Sequence, residues 1–199
     1  MELSKNFTLK ELVASQTADR KGINNNPNED QINSLKLLCE KVLQPVRDHY
    51  GKVVSVSSGF RSEELCEAIG SSKNSQHAKG QAADFELFGI SNQEVVIWIN
   101  ENLDYDQMIL EFWKGPDEPN SGWIHVSYKK EGNRKQLLRA FRNTFGKTQY
   151  EPYEYWTPDE INNMYMKKGV WTLTNGLYYV ILCTINEGEI LWQKKNLNL

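Results

Sequence analysis

Apolar positions recur along this chain with two different periods, and the alternation of those periods sets out its elements. Leu9, Leu12 and Val13 share one side of a short segment that Thr8 and Glu11 open as a T-x-x-E capping pattern, which predicts a brief helix. A longer helix is expected from about Asn28, where Ile32, Leu35, Cys39, Val42 and Val46 follow one another at steps of three and four. Pro45 should end or kink that helix, and Gly51 should close it. Val53–Ser57 alternates as a strand, Glu63–Ile69 reads as a helix, and Ala82–Phe88 reads as a second strand. Ser91 with Glu94 is expected to cap a helix running to Leu103. Strands are then expected at Gln107–Phe112 and Trp123–Tyr128, with a further one near Leu137–Arg142 returning beside them. This order predicts an α+β domain, a mainly antiparallel sheet flanked by helices.

From residue 150 onward the pattern changes. Aromatic residues become frequent, among them Trp156, Trp171, Tyr178, Tyr179 and Trp192. Thr157, Pro158 and Glu160 suit a helix start, and Leu177–Ile185 and Ile190–Lys194 read as strands around the turn Asn186-Glu187-Gly188-Glu189. A main domain over residues 1–149 and a small helix-plus-hairpin extension over 150–199 are therefore expected. The aromatics of the extension are read as its core, with a stacking surface as the alternative.

Composition narrows the choice of partners. The 199 residues are 39% hydrophobic and 25% charged, with no apolar run of membrane-spanning length, so a soluble protein with no membrane insertion is expected. A net charge of −3 offers no basic footprint for nucleic acid. Cys39, Cys66 and Cys183 are odd in number and unpaired in spacing, which argues against both a disulfide framework and a thiolate metal site. The first residues, MELSKNFTLKELVAS, lack the apolar stretch of a secretory signal, so nothing in them is expected to direct export. A monomer is expected.

Only three histidines occur, and two stand in settings suited to a metal: Ser75-Gln76-His77-Ala78-Lys79-Gly80-Gln81-Ala82-Ala83-Asp84, and Trp123-Ile124-His125-Val126-Ser127. Two imidazoles and one carboxylate would leave a fourth position open on a zinc ion, the pattern of catalytic sites. Spacing alone leaves a packed strand histidine as the alternative. His49, near the end of the long helix, reads as structural, and Trp123 reads as core or pocket wall.

The stretch Ser58-Gly59-Phe60-Arg61-Ser62, the segment from Ser75 to Asp84 and the stretch Trp123–Ser127 together resemble the zinc D-alanyl-D-alanine carboxypeptidase and L-alanyl-D-glutamate endolysin family, of the hedgehog-type peptidase fold. Asn6–Leu12, Leu43–Arg47 and Gly132–Gln136 are similar to its small carboxypeptidase-like branch often met in phages, so the resemblance spans about residues 6–142. It implies one zinc ion held by His77, Asp84 and His125, hydrolysis of an amide bond in the peptide stem of bacterial peptidoglycan, and a protein that is cytoplasmic until release, or part of a phage particle, and acts at the cell wall. Arg61 would meet substrate carboxylate or scissile carbonyl, and Ser75 and Gln76 would contact substrate. Many relatives carry an acid three residues before the last histidine, where this chain has Gly122. Glu111 is therefore expected to act as the general base, with Asp117 and Glu118 as the other candidates. A non-catalytic, zinc-containing wall-binding or phage structural module is the alternative reading.

Overall fold

The structure is a computed structural model that describes residues 1–115 and 117–155 in full, together with the backbone of two later strands. Strand β1 (Glu2–Ser4) pairs with β2 (Phe7–Thr8), and α1 (Leu9–Val13) follows at once, the Thr8 hydroxyl accepting from the Glu11 amide at 3.3 Å. Helix α2 (Gln16–Lys21) was not evident from apolar spacing, being mostly polar. The long helix comes in three parts: α3 (Glu29–Leu38), a π-helical turn over Cys39–Leu43, and α4 (Gln44–Tyr50). Pro45 thus neither ends the helix nor breaks it. The wider turn, in which the Gln44 amide bonds to the Cys39 carbonyl, accommodates a residue with no N–H to donate.

Strand β3 (Val54–Ser58) leads through α5 (Glu63–Ala68) and a 3₁₀ turn (Gln76–Lys79) into β4 (Ala82–Leu87). Helix α6 (Asn92–Asn102) comes next, with Ser91 in the cap position but making no side-chain cap bond, contrary to the expected capping role. Strands β5 (Gln107–Glu111), β6 (Trp123–Ser127), β7 (Gln136–Arg142) and β8 (Thr148–Pro152) complete a six-stranded sheet of order β3-β4-β6-β5-β7-β8. Every pairing is antiparallel except β5 with β7, so the fold is α+β with a mainly antiparallel sheet.

Side chains on a strand alternate between faces, and here the alternation separates packing from chemistry. Val54, Ala83, Phe85, Leu87, Met108, Leu110, Ile124 and Val126 fall on one face and form the core with Leu35, Leu38, Val42, Val46, Val96 and Ile99 of the helices. Each large apolar side chain removed from water this way contributes about 1.5–3 kcal/mol. The opposite face carries Asp84, His125 and Ile109, in register across β4, β6 and β5, and Glu111 two residues on from Ile109.

Contacts divide the chain into Met1–Tyr153 and Glu154–Leu199. The sheet continues through β8, past the boundary at residue 149 that composition suggests. In the second unit β9 (Tyr179–Asn186) and β10 (Glu189–Asn196) pair antiparallel as a hairpin. The expected helix near Thr157 and the aromatics Trp156, Trp171 and Tyr178 lie outside the described residues, as do the side chains of Tyr179, Cys183 and Trp192. Among the described residues no helix is long and apolar enough to cross a membrane, and Cys39 and Cys66 are buried and free.

Candidate metal centre

His77, Asp84 and His125 reach one point from three separate elements. Asp84 and His125 sit directly opposite each other on β4 and β6. His77 arrives on the 3₁₀ turn, whose start is fixed by the Ser75 hydroxyl accepting from the His77 amide at 3.3 Å. Its ring is oriented by the Gly59 carbonyl, 2.6 Å from Nδ1. A carbonyl only accepts, so Nδ1 carries the proton and Nε2 presents a bare lone pair. Gly59 can do this because it runs tightly under α1: a Cβ there would lie 2.3 Å from the Leu12 carbonyl oxygen.

The donor atoms form a small triangle. His77 Nε2 stands 3.2 Å from His125 Nδ1 and 3.2 Å from Asp84 Oδ1, and His125 Nδ1 stands 2.8 Å from Asp84 Oδ1. Bonds of about 2.0–2.1 Å to a tetrahedral ion imply donor separations of roughly 3.3 Å. One proton on His125 can satisfy its contact with Asp84, but none is then left for the His77 lone pair. The three residues therefore fit a divalent cation with nitrogen and oxygen preferences, and they form a buried group able to hold one.

Electrostatics agree with that chemistry. Burial lowers the His77 imidazole pKa despite the opposing pull of Asp84, which keeps it neutral as a ligand must be. Burial pushes Asp84 up, but the imidazoles of His77 and His125 outweigh it and hold the carboxyl well below the usual range. Arg61 turns its guanidinium onto this same carboxylate, Nη2 bonding Asp84 Oδ2 while Nε donates to the Ser58 hydroxyl at 2.7 Å.

The triad opens into a cleft of about 550 Å³, lined also by Arg61, Ser71, Ser75, Gln76, Gln107, Ile109, Glu111, Trp123, Leu138 and Tyr150. Glu111 ends β5 on the triad's face of the sheet. Burial, and then the Asp84 charge, raise its pKa, with His125 and Arg61 opposing. The backbone changes course immediately afterwards: Phe112 takes φ +55° and bonds its amide to the Ala140 carbonyl, while Gly122 takes φ +70°. A Cβ on Gly122 would lie 1.8 Å from the Glu111 carbonyl oxygen, so the chain packs directly on the backbone that presents Glu111.

The remaining expected site residues fall into place unevenly. Ser75 and Gln76 line the cleft, but Gln76 donates to the buried Asp106 at 3.0 Å. Asp106 also binds Arg134 and Lys129, so Gln76 is tied to the loop before β7. Asp117 and Glu118 do not line the cleft, and the exposed Glu118 pairs with Lys114 at 2.7 Å. Trp123 forms cleft wall, its ring centroid 5.3 Å from that of Phe112. His49 stacks on Trp98 at 4.2 Å, remote from the metal group. Gln107 and Tyr150 were not foreseen as cleft residues. Gln107 shares the parity of Ile109 and Glu111 along β5, a signal present in the sequence, whereas Tyr150 looks like the start of the aromatic tail until β8 is known.

The family model described as Peptidase M15 matches residues 5–127, a span that holds Arg61, His77, Asp84, Glu111 and His125 but ends before β7 and β8. No curated protein matches the chain.

Proposed function

Because the chain belongs to the peptidase M15 family, we propose that it is a zinc peptidase that hydrolyses an amide bond in the peptide stem of bacterial peptidoglycan. The observation that carries this reading is the placement of Asp84, His125 and Glu111 on one sheet face, with His77 brought to the same point from the 3₁₀ turn, all four lining one cleft. A zinc ion held by His77, Asp84 and His125 would supply Lewis acidity at neutral pH. The protein's own groups account for the rest. Glu111, its pKa raised by burial, takes the proton of the attacking water and returns it to the leaving amine. Arg61 steadies Asp84 and turns its remaining guanidinium edge toward substrate, the carboxylate of a terminal residue being the group its planar fork meets best. The bond is of the D-alanyl-D-alanine or the L-alanyl-D-glutamate type.

Purified peptidoglycan digested with the zinc-loaded protein, beside its His77→Ala variant, tests the reading, with mass spectrometry of the released fragments. New peptide termini that appear only with the intact triad are the expected result, and they identify the bond. Absence of new termini from several wall chemotypes, with one zinc still bound per chain, would favour a non-catalytic wall-binding module instead.

A further inference from the structure

Beyond the family-matched span, β8 brings one more polar group to the cleft. Tyr150 pairs in register with Ala140, and Ala140 with Glu111, so the three residues stand side by side on one sheet face. Two strand spacings, about 9–10 Å, separate the backbones of Glu111 and Tyr150. The residue between them is an alanine, which leaves the phenol free to lean across toward the cleft that it lines. Tyr150 is half-exposed at 56%, and among the described residues its hydroxyl has no hydrogen-bond partner. Several other donors around the cleft already have partners: Gln76 Nε2 bonds Asp106 at 3.0 Å, Gln107 Nε2 bonds Gln136 at 2.7 Å, and Arg61 Nε and Nη2 bond Ser58 and Asp84. Arg61 approaches the triad from the β3 side of the sheet, and among the described cleft residues of β7 and β8 only Tyr150 carries a side-chain donor.

We propose that Tyr150 is a further substrate-contacting residue, whose phenol O–H donates a hydrogen bond to the carbonyl oxygen of the amide under attack. The bond strengthens as negative charge builds on that oxygen, and the phenol keeps its proton throughout. Burial, and then the charges of Glu111 and Asp84, raise its pKa, so the hydroxyl remains a donor across the neutral range. The assignment rests on the peptidase reading above, and it gives the cleft a donor on the side that Arg61 does not reach.

The test compares the zinc-loaded full chain with Tyr150→Phe, which keeps the ring and removes only the hydroxyl. On stem peptides released from peptidoglycan, kcat should fall ~10–100-fold with KM changed less than ~3-fold. Calorimetric binding of the phosphinic analogues of D-alanyl-D-alanine and L-alanyl-D-glutamate, tetrahedral mimics of the attacked amide, should weaken ~10-fold or more, with zinc content and Tm unchanged. Equal kcat and equal phosphinate affinity in the two proteins would overturn the Tyr150 assignment and leave the peptidase reading intact. If the wild-type chain binds a phosphinate but cuts nothing, the peptidase reading fails and the Tyr150 assignment, which needs an attacked amide, falls with it. If it does neither, both fall.

Discussion

Asp84 and Glu111, the two carboxylates of the cleft, are displaced in opposite directions from the ordinary range. Asp84 lies low because two imidazoles outweigh its burial, and Glu111 lies high because burial, reinforced by the Asp84 charge, outweighs His125 and Arg61. One therefore stays ionised, as the proposed ligand must, and the other keeps its proton to higher pH than an ordinary glutamate. A base must be deprotonated to act, so kcat/KM should rise with pH through the raised Glu111 pKa. Glu111→Gln should cut kcat by ~10²–10⁴-fold, retain zinc, and abolish that acid limb. An acid limb that persists unchanged in the variant would remove Glu111 from the mechanism. For stability the signs reverse between the two groups. The low Asp84 pKa contributes to the metal-free fold above the ordinary carboxylate range and is lost as pH falls, whereas ionising Glu111 opposes folding as pH rises through its pKa.

At the scale of elements, the turn into β6 is coupled to the end of β5. Gly122 holds φ +70° with its α-carbon against the Glu111 carbonyl, and Phe112 adopts φ +55° beside it. Gly122→Ala should cost about 2 kcal/mol or more in urea unfolding, from both the unfavourable φ and the collision. Because relief of that collision moves Glu111, kcat should drop too while zinc stays bound; an unchanged kcat would show that the turn does not position the base. The same geometry gives a physical reason for the glycine where an acid was expected from resemblance, since a side chain at 122 and Glu111 in its present place exclude each other. Periodicity and alternation made α3, β4, β5 and β6 legible, α6 was expected from a capping signal that Ser91 does not fulfil with its side chain, and local motifs singled out His77, Asp84 and His125. Register was not legible: that Asp84 faces His125, that β7 runs parallel to β5, or that β8 belongs to the sheet depends on contacts between distant residues. The π-helical turn also escaped notice, because a proline signals a missing donor but not how the backbone absorbs the loss.

Across the whole molecule, three electron-rich atoms held 2.8–3.2 Å apart within a buried site oppose the metal-free fold and favour the loaded one. Zinc at ~100 times its Kd adds about 2.7 kcal/mol to the folded state. Chelation should therefore lower the Tm by roughly 5 °C or more, reversibly on adding zinc, and His77→Ala should lose the response; a Tm indifferent to chelation would count against the triad as a metal site. The ladder between β4 and β6, four paired positions from Ala82–Ser127 to Phe85–Ile124, is where the third donor joins the first two. In time rather than space, a nascent chain that has grown only as far as Leu87 already carries His77 and Asp84 but lacks both His125 and Glu111. A peptide interrupted or clipped between β4 and β5 has neither the complete His-Asp-His group nor the proposed base, so the proposed hydrolysis requires a chain whose two halves have met.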